Sequence, residues 1–464
     1  MSMVISLDIG TSKICVLSYD TQSKEVIDVR SYANDCGIRN EMPGFKEQSA
    51  VKIRDICLRL IRDVVKDKCS SHNLVERICV TGQMHGIVLV NDKCKPVSNL
   101  ITWEDTRVLN SARGNISELY DKIDMTRLSK YGYRIQPGHG LTTLYWLKEN
   151  GLLPNVCKSL SVTDFVTAYL CGRIATDPTQ AASWDLYDIE NEGWNYNIAE
   201  QAGIVPEILP EIIPTGTEQG LLRTDIAEQL GIKGNVIVNS GIGDNQASVI
   251  GASSFTNSAV LNLGTGGQLS IPINEISEIK GLEIRPMPYG RYIAVATTST
   301  GGSGYANLKT FVKDVIEKIC GVTLGDDAIY QKLNEAVRTA DKESCLRVKM
   351  CCDGINNEQS FTGITRDSFV IGNLAYGVGR AIVESLFDKL NPQVCIKIKS
   401  LILAGNFPRR NPFVLNIVQN LFGVTCKMSD NKEEAAYGAA IIAARSVEPM
   451  VPLYLEKKEL LKES

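Results

Sequence analysis

One local pattern is written twice in this chain, and it constrains the fold more than any other feature. The segment MVISLDIGT carries an apolar strand into the turn Gly10-Thr11 and out into Lys13–Tyr19. The segment SAVLNLGT does the same at Gly264-Thr265, followed by GGQLSIPI. Gly and Thr are ordinary turn residues, so either hairpin alone says little. A strand–turn–strand near the start of each half predicts two related α/β domains that face each other. Only the first copy carries an acid, Asp8.

At 464 residues the chain exceeds one ordinary domain. Strands are expected at Met3–Leu7, Lys13–Tyr19 and Arg77–Val80. Between them, Ile53, Ile56, Cys57, Leu60, Ile61 and Val64 share one face of an expected amphipathic helix over Val51–Lys66. Such alternation predicts helices packed on a sheet. The middle third, Asn110 to Gly231, reads as mainly helical, with loops at Gln136-Pro137-Gly138, Asp177-Pro178 and Pro214–Gly216. A second series begins near Val236. Its expected strands are Val236–Asn239, Ala259–Leu263, Tyr292–Ala296 and Ser400–Ala404, and its helices Leu374–Leu390 and Glu433–Ala444. The Gly-rich stretch Ser240–Gly251 sets the expected boundary, giving units over 1–240 and 241–464. The terminal LYLEKKELLKES reads as a charged surface helix or tail.

Composition removes several function classes. The net charge of −4 is small and mixed in sign, which leaves no basic footprint for nucleic acid. No apolar run reaches the length of a membrane span, and the opening strand does not resemble a signal peptide. The 14 cysteines are scattered, without a CxxC, and the one close pair is Cys351-Cys352. They read as buried thiols in a reducing compartment, so a cytoplasmic location is expected. His72, His85 and His139 are dispersed and do not point to a histidine metal site. Neither GxxxxGK[ST] nor the HRD and DFG pair occurs, so a nucleotide would need another cradle.

The hairpins offer one. In Asp-X-Gly-Thr the Gly lets backbone amides approach an anion, the Thr adds a hydroxyl, and the Asp can hold Mg²⁺ through oxygen. Gly264-Thr265-Gly266-Gly267 lacks the acid and opens more backbone to phosphate. Gly243-Asp244-Asn245-Gln246-Ala247 leads from a strand into a helix, where Asp244 is either an N-cap or a base; local sequence favours the cap. Gln83-Met84-His85 ends another strand, and Trp103-Glu104-Asp105-Thr106-Arg107 adds an aromatic face, acids and a guanidinium suited to a hydroxyl-rich ligand. Gly405-Asn406 ends the Leu401–Ala404 strand, where a flat ring could lie on backbone.

Taken in order, LDIGTS, GQMHG, TWEDTR, GDNQAS, LGTGG, LAYGVGRAIVESL, AGN and EAAYGAA resemble the FGGY carbohydrate kinases, a branch of the actin, hexokinase and heat-shock ATPase superfamily. The likeness runs from Ile5 to about Ala444. It implies two actin-like (ribonuclease H-like) ATPase domains flanking a nucleotide and sugar cleft, with ATP and Mg²⁺ bound. By that likeness Asp8 organises Mg²⁺, and Gly10, Thr11, Ser12, Gly264, Thr265, Gly266 and Gly267 lie near the phosphates. Asp244 becomes the catalytic base, reversing the local preference. Gln83, Met84, His85, Trp103, Asp105 and Asn245 form the sugar pocket. Gly405 and Asn406, with Gly301 and Gly302, approach the nucleoside.

GQMHG with W-x-D-x-R resembles the ketose branch of that family. Gln180–Tyr187, Trp194-Asn195 and HGLTTLYWL are most similar to the members of that branch that act on sedoheptulose, and that resemblance implies phosphorylation to the 7-phosphate for the pentose phosphate pathway. Xylulose is the alternative, and a catalytically silent nucleotide sensor a more distant one. Thr143 stands where the broader family often has Lys. The expected partner is a small sugar, without nucleic acid or membrane, in a monomer or homodimer.

Overall fold

The computed structural model describes residues 2–68, 74–154, 157–254, 256, 258–349 and 360–445. Cys351-Cys352 and the terminal LYLEKKELLKES fall outside them. The first sheet is built from β1 (Ser2–Ile9), β2 (Lys13–Asp20), β3 (Glu25–Ala33), β4 (Leu74–Gly82), β5 (Glu218–Leu221), β6 (Ile237–Asn239) and β7 (Ile242–Gly243), in the order β5-β6-β4-β1-β2-β3 with β7 also on β4. The second contains β8 (Ala259–Leu263), β9 (Gly267–Ile273), β10 (Glu283–Met287), β11 (Arg291–Thr298), β12 (Ser400–Ala404) and β13 (Thr425–Met428), in the order β10-β11-β9-β8-β12-β13.

The sheets share a plan. In each, a hairpin (β1–β2, β8–β9) takes an antiparallel third strand on one side (β3, β11) and parallel strands on the other (β4 then β6, β12 then β13). The repeated Gly-Thr turns are therefore the matching corners of two equivalent sheets.

Helices cover the sheets as the apolar spacing requires. α1 (Ala50–Lys68) buries Ile53, Cys57, Leu60, Ile61 and Val64 in the first core. The middle third is less helical than expected. α2 (Gly140–Glu149), α3 (Val162–Cys171) and α4 (Pro178–Ala181) alternate with two-residue ladders such as Ala175–Thr176 on Glu211–Ile212. Asp177-Pro178 is not a loop: Asp177 accepts from the Thr179 and Gln180 N–H groups and Pro178 supplies a preset φ, so the pair starts α4. Beyond α5 (Asp244–Ser253), the second half adds α6 (Gly302–Cys320), α7 (Asp326–Val337), α8 (Ile371–Phe387), α9 (Phe413–Phe422) and α10 (Glu434–Arg445).

α10 returns to the first sheet, where the Ser6 hydroxyl donates to the Ala436 carbonyl at 2.7 Å. It also crosses α5 at contact distance. A Cβ on Gly251 would sit 1.9 Å from the Glu434 carbonyl oxygen, and one on Gly438 would sit 1.9 Å from that of Ala247, so only glycine permits the crossing. This fixes α5, whose first turn carries Asp244, against the first sheet.

The thiols follow expectation only in part. Cys15, Cys36, Cys57, Cys79, Cys94 and Cys426 are buried, whereas Cys320 and Cys345 are exposed. Cys320 ends α6, which buries only Gly304, Tyr305 and Leu308, so its position there carries no requirement for burial. Among the described residues no helix is long and apolar enough to cross a membrane.

Candidate active site

Three parallel strand ends converge. In the ladder Asp8 is level with Thr81, and Thr81 with Ile242; Gly82 pairs with both Ile9 and Gly243. Asp8, Gln83 and Asp244 therefore emerge at the same edge, the carboxyl ends where α/β sheets bind ligands.

Asp244 is the first residue of α5, and Gly243 is the residue that caps it. The Asp244 side chain is therefore not the N-cap of α5 but stands in the first turn of the helix. Burial pushes its pKa up to about 6, against the lowering effects of the Asn245 N–H and Arg285. Its backbone is held from below. The Gly243 N–H donates to Thr179 Oγ1 at 2.7 Å, and that hydroxyl donates to Asp177 Oδ2 at 2.7 Å. Asp177 also accepts from the Thr215 hydroxyl at 2.6 Å.

Asp8 is half-buried. Burial, then the facing charges of Asp244 and Glu433, push its carboxyl up to about 8, opposed by Lys13. Lys13 itself binds both oxygens of Glu433 at 2.7 Å, tying the first hairpin to the segment before α10. No group of three or more His, Cys, Asp or Glu among the described residues could hold a metal alone. Mg²⁺ bound through a nucleotide needs one or two carboxylates plus phosphate oxygens. An acid crowded by other carboxylates is a suitable donor for it.

The Trp103 indole N–H donates to Thr11 Oγ1 at 3.0 Å, so the expected sugar wall touches the first Gly-Thr turn. Trp103 is 41% exposed and is not a core residue. Ser12 is exposed beside it, and Gly10 closes the turn with its N–H on the Lys13 carbonyl at 2.9 Å. The Gln48 amide bridges Thr11 and Gln83: it donates to the Thr11 carbonyl at 2.9 Å and accepts from Gln83 Nε2 at 2.9 Å. Gln83 Oε1 is buried with no protein partner. Asp105 differs from its expected use. Both its oxygens are taken by Arg107, and Oδ2 also accepts the Lys46 N–H at 2.7 Å, so it braces the loop beside the pocket.

Met84 is buried against Gly243. His85 has a left-handed backbone, φ 74°, of the strained kind that clusters at functional sites. Its Nδ1–H donates to the Ser183 carbonyl at 2.8 Å, which leaves Nε2 as an acceptor in the neutral ring. Burial, His139 and Arg285 hold its pKa well below the usual range. Two of the dispersed histidines meet in space, while His72 lies outside the described residues: His139 stacks on His85 at 4.0 Å, and its Nδ1 bonds Asp185 Oδ2 at 2.9 Å. Trp184 and Trp194 lie in the core as a stacked pair. Residues 180–187 thus support the histidines from behind. Thr143 is buried one turn along α2, its N–H on the His139 carbonyl.

The second cluster surrounds the other hairpin. Gly302 N–H donates to the Gly264 carbonyl at 2.8 Å, and Gly301 N–H to that of Thr265 at 3.1 Å. Two oxygens that would repel phosphate are so engaged by the start of α6. A Cβ on Gly301 would lie 2.1 Å from the Gly266 carbonyl oxygen. Gly405 adjoins the same corner, because Ala404 pairs with Asn262, and Asn406 beyond it is exposed. Asn245 joins the clusters: its Nδ2 donates to Gln268 Oε1 at 2.6 Å, just past Gly267.

Sequence reasoning missed Thr179, Gln48, Arg285, Gln268 and the Lys13–Glu433 bridge. A buried Arg285 paired with Glu283 in an otherwise apolar strand was the one available signal.

The arrangement can hold a polyphosphate between two glycine hairpins and present a hydroxyl to a carboxylate. The model for the N-terminal domain of the FGGY family of carbohydrate kinases matches residues 3–251. A xylulose kinase of Staphylococcus xylosus is 24% identical over 96% of this chain and 91% of its own. A sedoheptulokinase of Mus musculus is 26% identical over 79% of this chain and 81% of its own. The crystal structure of a xylulose kinase from Rhodospirillum rubrum superposes with a TM-score of 0.84 over 97% of this chain and 91% of that one, at 18% identity, sharing the two-domain actin-like ATPase fold.

Proposed function

The chain belongs to the FGGY family of carbohydrate kinases, and on that premise we propose that it transfers the γ-phosphoryl group of ATP to a primary hydroxyl of sedoheptulose, giving the 7-phosphate. The observation that carries the reading is Asp244. It begins a helix capped by another residue, stands where three parallel strand ends converge, and has a pKa of about 6, so near neutral pH it is an ionised base.

Each remaining residue has a task in this reading. Asp244 accepts the proton as the acceptor oxygen attacks phosphorus in line. His85 Nε2 accepts a sugar hydroxyl, Gln83 and Met84 line the same wall, and Asn245 holds the segment after the base. Trp103 covers the pocket, with Asp105 bracing its loop through Arg107. Gly10, Thr11, Ser12 and Gly264–Gly267 cradle phosphates, and Gly405 and Asn406 approach the nucleoside. Asp8 would hold Mg²⁺, which when bound neutralises phosphate charge. The two units divide at about residue 240: the first brings the sugar pocket and the Mg²⁺ and phosphate hairpin, the second the ATP site, with α10 crossing back to the first sheet. A cytoplasmic location suits the substrate.

Similarity to a sedoheptulokinase and the supporting segment 180–187 favour the longer sugar. Similarity to a xylulose kinase over nearly the whole chain favours xylulose as the second reading. Phosphorus NMR of the product decides between them: a phosphate ester on the terminal carbon of sedoheptulose, formed faster than xylulose 5-phosphate, supports the proposal. The reverse preference replaces the acceptor and leaves the mechanism.

A further inference from the structure

The second sheet contributes a charged pair beside the sugar wall. Glu283 and Arg285 are alternate residues of β10, so they leave one face of the strand. Arg285 is 4% exposed. Its Nε donates to Glu283 Oε1 at 2.6 Å and its Nη2 to Oε2 at 3.3 Å, while Nη1 reaches Asn245 Oδ1 at 3.4 Å. A guanidinium has five N–H donors, so each Nη keeps one to spare.

The position is rigid. Ile284 N–H donates to the Tyr131 carbonyl at 2.9 Å, and the Tyr133 hydroxyl donates to the Ile284 carbonyl at 2.7 Å. The Arg285 charge acts on both Asp244 and His85, and the Glu283 charge acts on Asp185, which holds His139. The pair therefore lies within electrostatic reach of the base and of the histidine stack. Buried N–H groups need acceptors, and sugar hydroxyls supply them. Because Glu283 offsets the charge, the pair favours a neutral polyol over a sugar acid.

Building on the ketose kinase reading, we propose that Arg285 determines acceptor specificity by donating its two spare N–H groups to hydroxyls next to the one that Asp244 deprotonates. The test compares wild type, Arg285→Met and Arg285→Lys. It measures ketose KM and kcat, ketose affinity by calorimetry without nucleotide, ATP affinity, and melting temperature. Arg285→Met should raise ketose KM and Kd about 10-fold to 100-fold, with ATP affinity unchanged. Arg285→Lys, which keeps the charge without the fork, should fall between. Unchanged ketose affinity in Arg285→Met overturns the inference and leaves the kinase reading intact. Equal losses of ATP affinity, sugar affinity and melting temperature also overturn it, because they mark a structural role. A wild-type protein that neither binds nor phosphorylates any ketose overturns both.

Discussion

Replacing Thr179 with valine removes one hydroxyl and keeps the side-chain volume. In the wild type that hydroxyl accepts the Gly243 N–H at 2.7 Å and donates to Asp177 at 2.7 Å, in a site fully closed to solvent. The variant leaves the Gly243 N–H buried without an acceptor and takes one donor from a buried carboxylate. An orphaned buried donor costs about 1–3 kcal/mol, and a bond to a charged group is worth about as much. Relaxation relieves part of this by moving Gly243, and Asp244 moves with it. A shift of about 1 Å in a reacting group costs about 100-fold in rate. Thr179→Val should therefore lower kcat about 10-fold to 100-fold and destabilise the fold by about 3 kcal/mol, with ATP affinity preserved. Thr179→Ser keeps the hydroxyl and should restore most of kcat. Steady-state kinetics and thermal melts of both variants test this. Wild-type kcat in Thr179→Val, or equal loss in the serine variant, would refute the reasoning.

Further expectations concern pH and the nucleotide corner. The base must be ionised, so kcat/KM should rise with pH and reach half its plateau near the Asp244 pKa of about 6; a flat profile from pH 5 to 8 would exclude Asp244 as base. Asp164 is raised to about 7 by burial and by Asp177. The folded state therefore holds a proton that the unfolded state has released, and the Asp164 contribution to stability should fall from about pH 4 to about pH 7 and level off above. Asp164→Asn should flatten that decline in thermal melts, leaving the Ser161 and Thr176 bonds with an acceptor. Gly301→Ala would drive a methyl into the Gly266 carbonyl, so ATP KM should rise while sugar affinity, measured by calorimetry, stays constant.

What could be read from the sequence was what local chemistry writes there. Ala259–Leu263 and Ser400–Ala404 fall on the expected bounds because in each an apolar run ends at a glycine, Gly264 or Gly405. α1 was legible from its apolar period, and Ile371–Phe387 from Leu374 onward. The edge strand β3, mostly exposed, has no burial pattern to announce it. The site was partly legible because hairpin glycines and strand-end acids carry their own signals. The bracing contacts of Asp105 could not be read there, since its partners Lys46 and Arg107 are fixed only by folding. The stack of His85 on His139 and the bond from Thr179 to Gly243 join distant segments, and no local pattern encodes them. The same holds for Arg285, which enters from the other sheet.

The most direct test of the account is ADP release by the purified protein with Mg-ATP across glycerol, xylulose, ribulose, fructose and sedoheptulose, run beside Asp244→Asn. The account predicts strong stimulation by sedoheptulose and a loss of about 100-fold or more in the variant, with nucleotide still bound. Nucleotide binding without stimulation by any sugar, or an Asp244→Asn protein that keeps wild-type turnover, would contradict it.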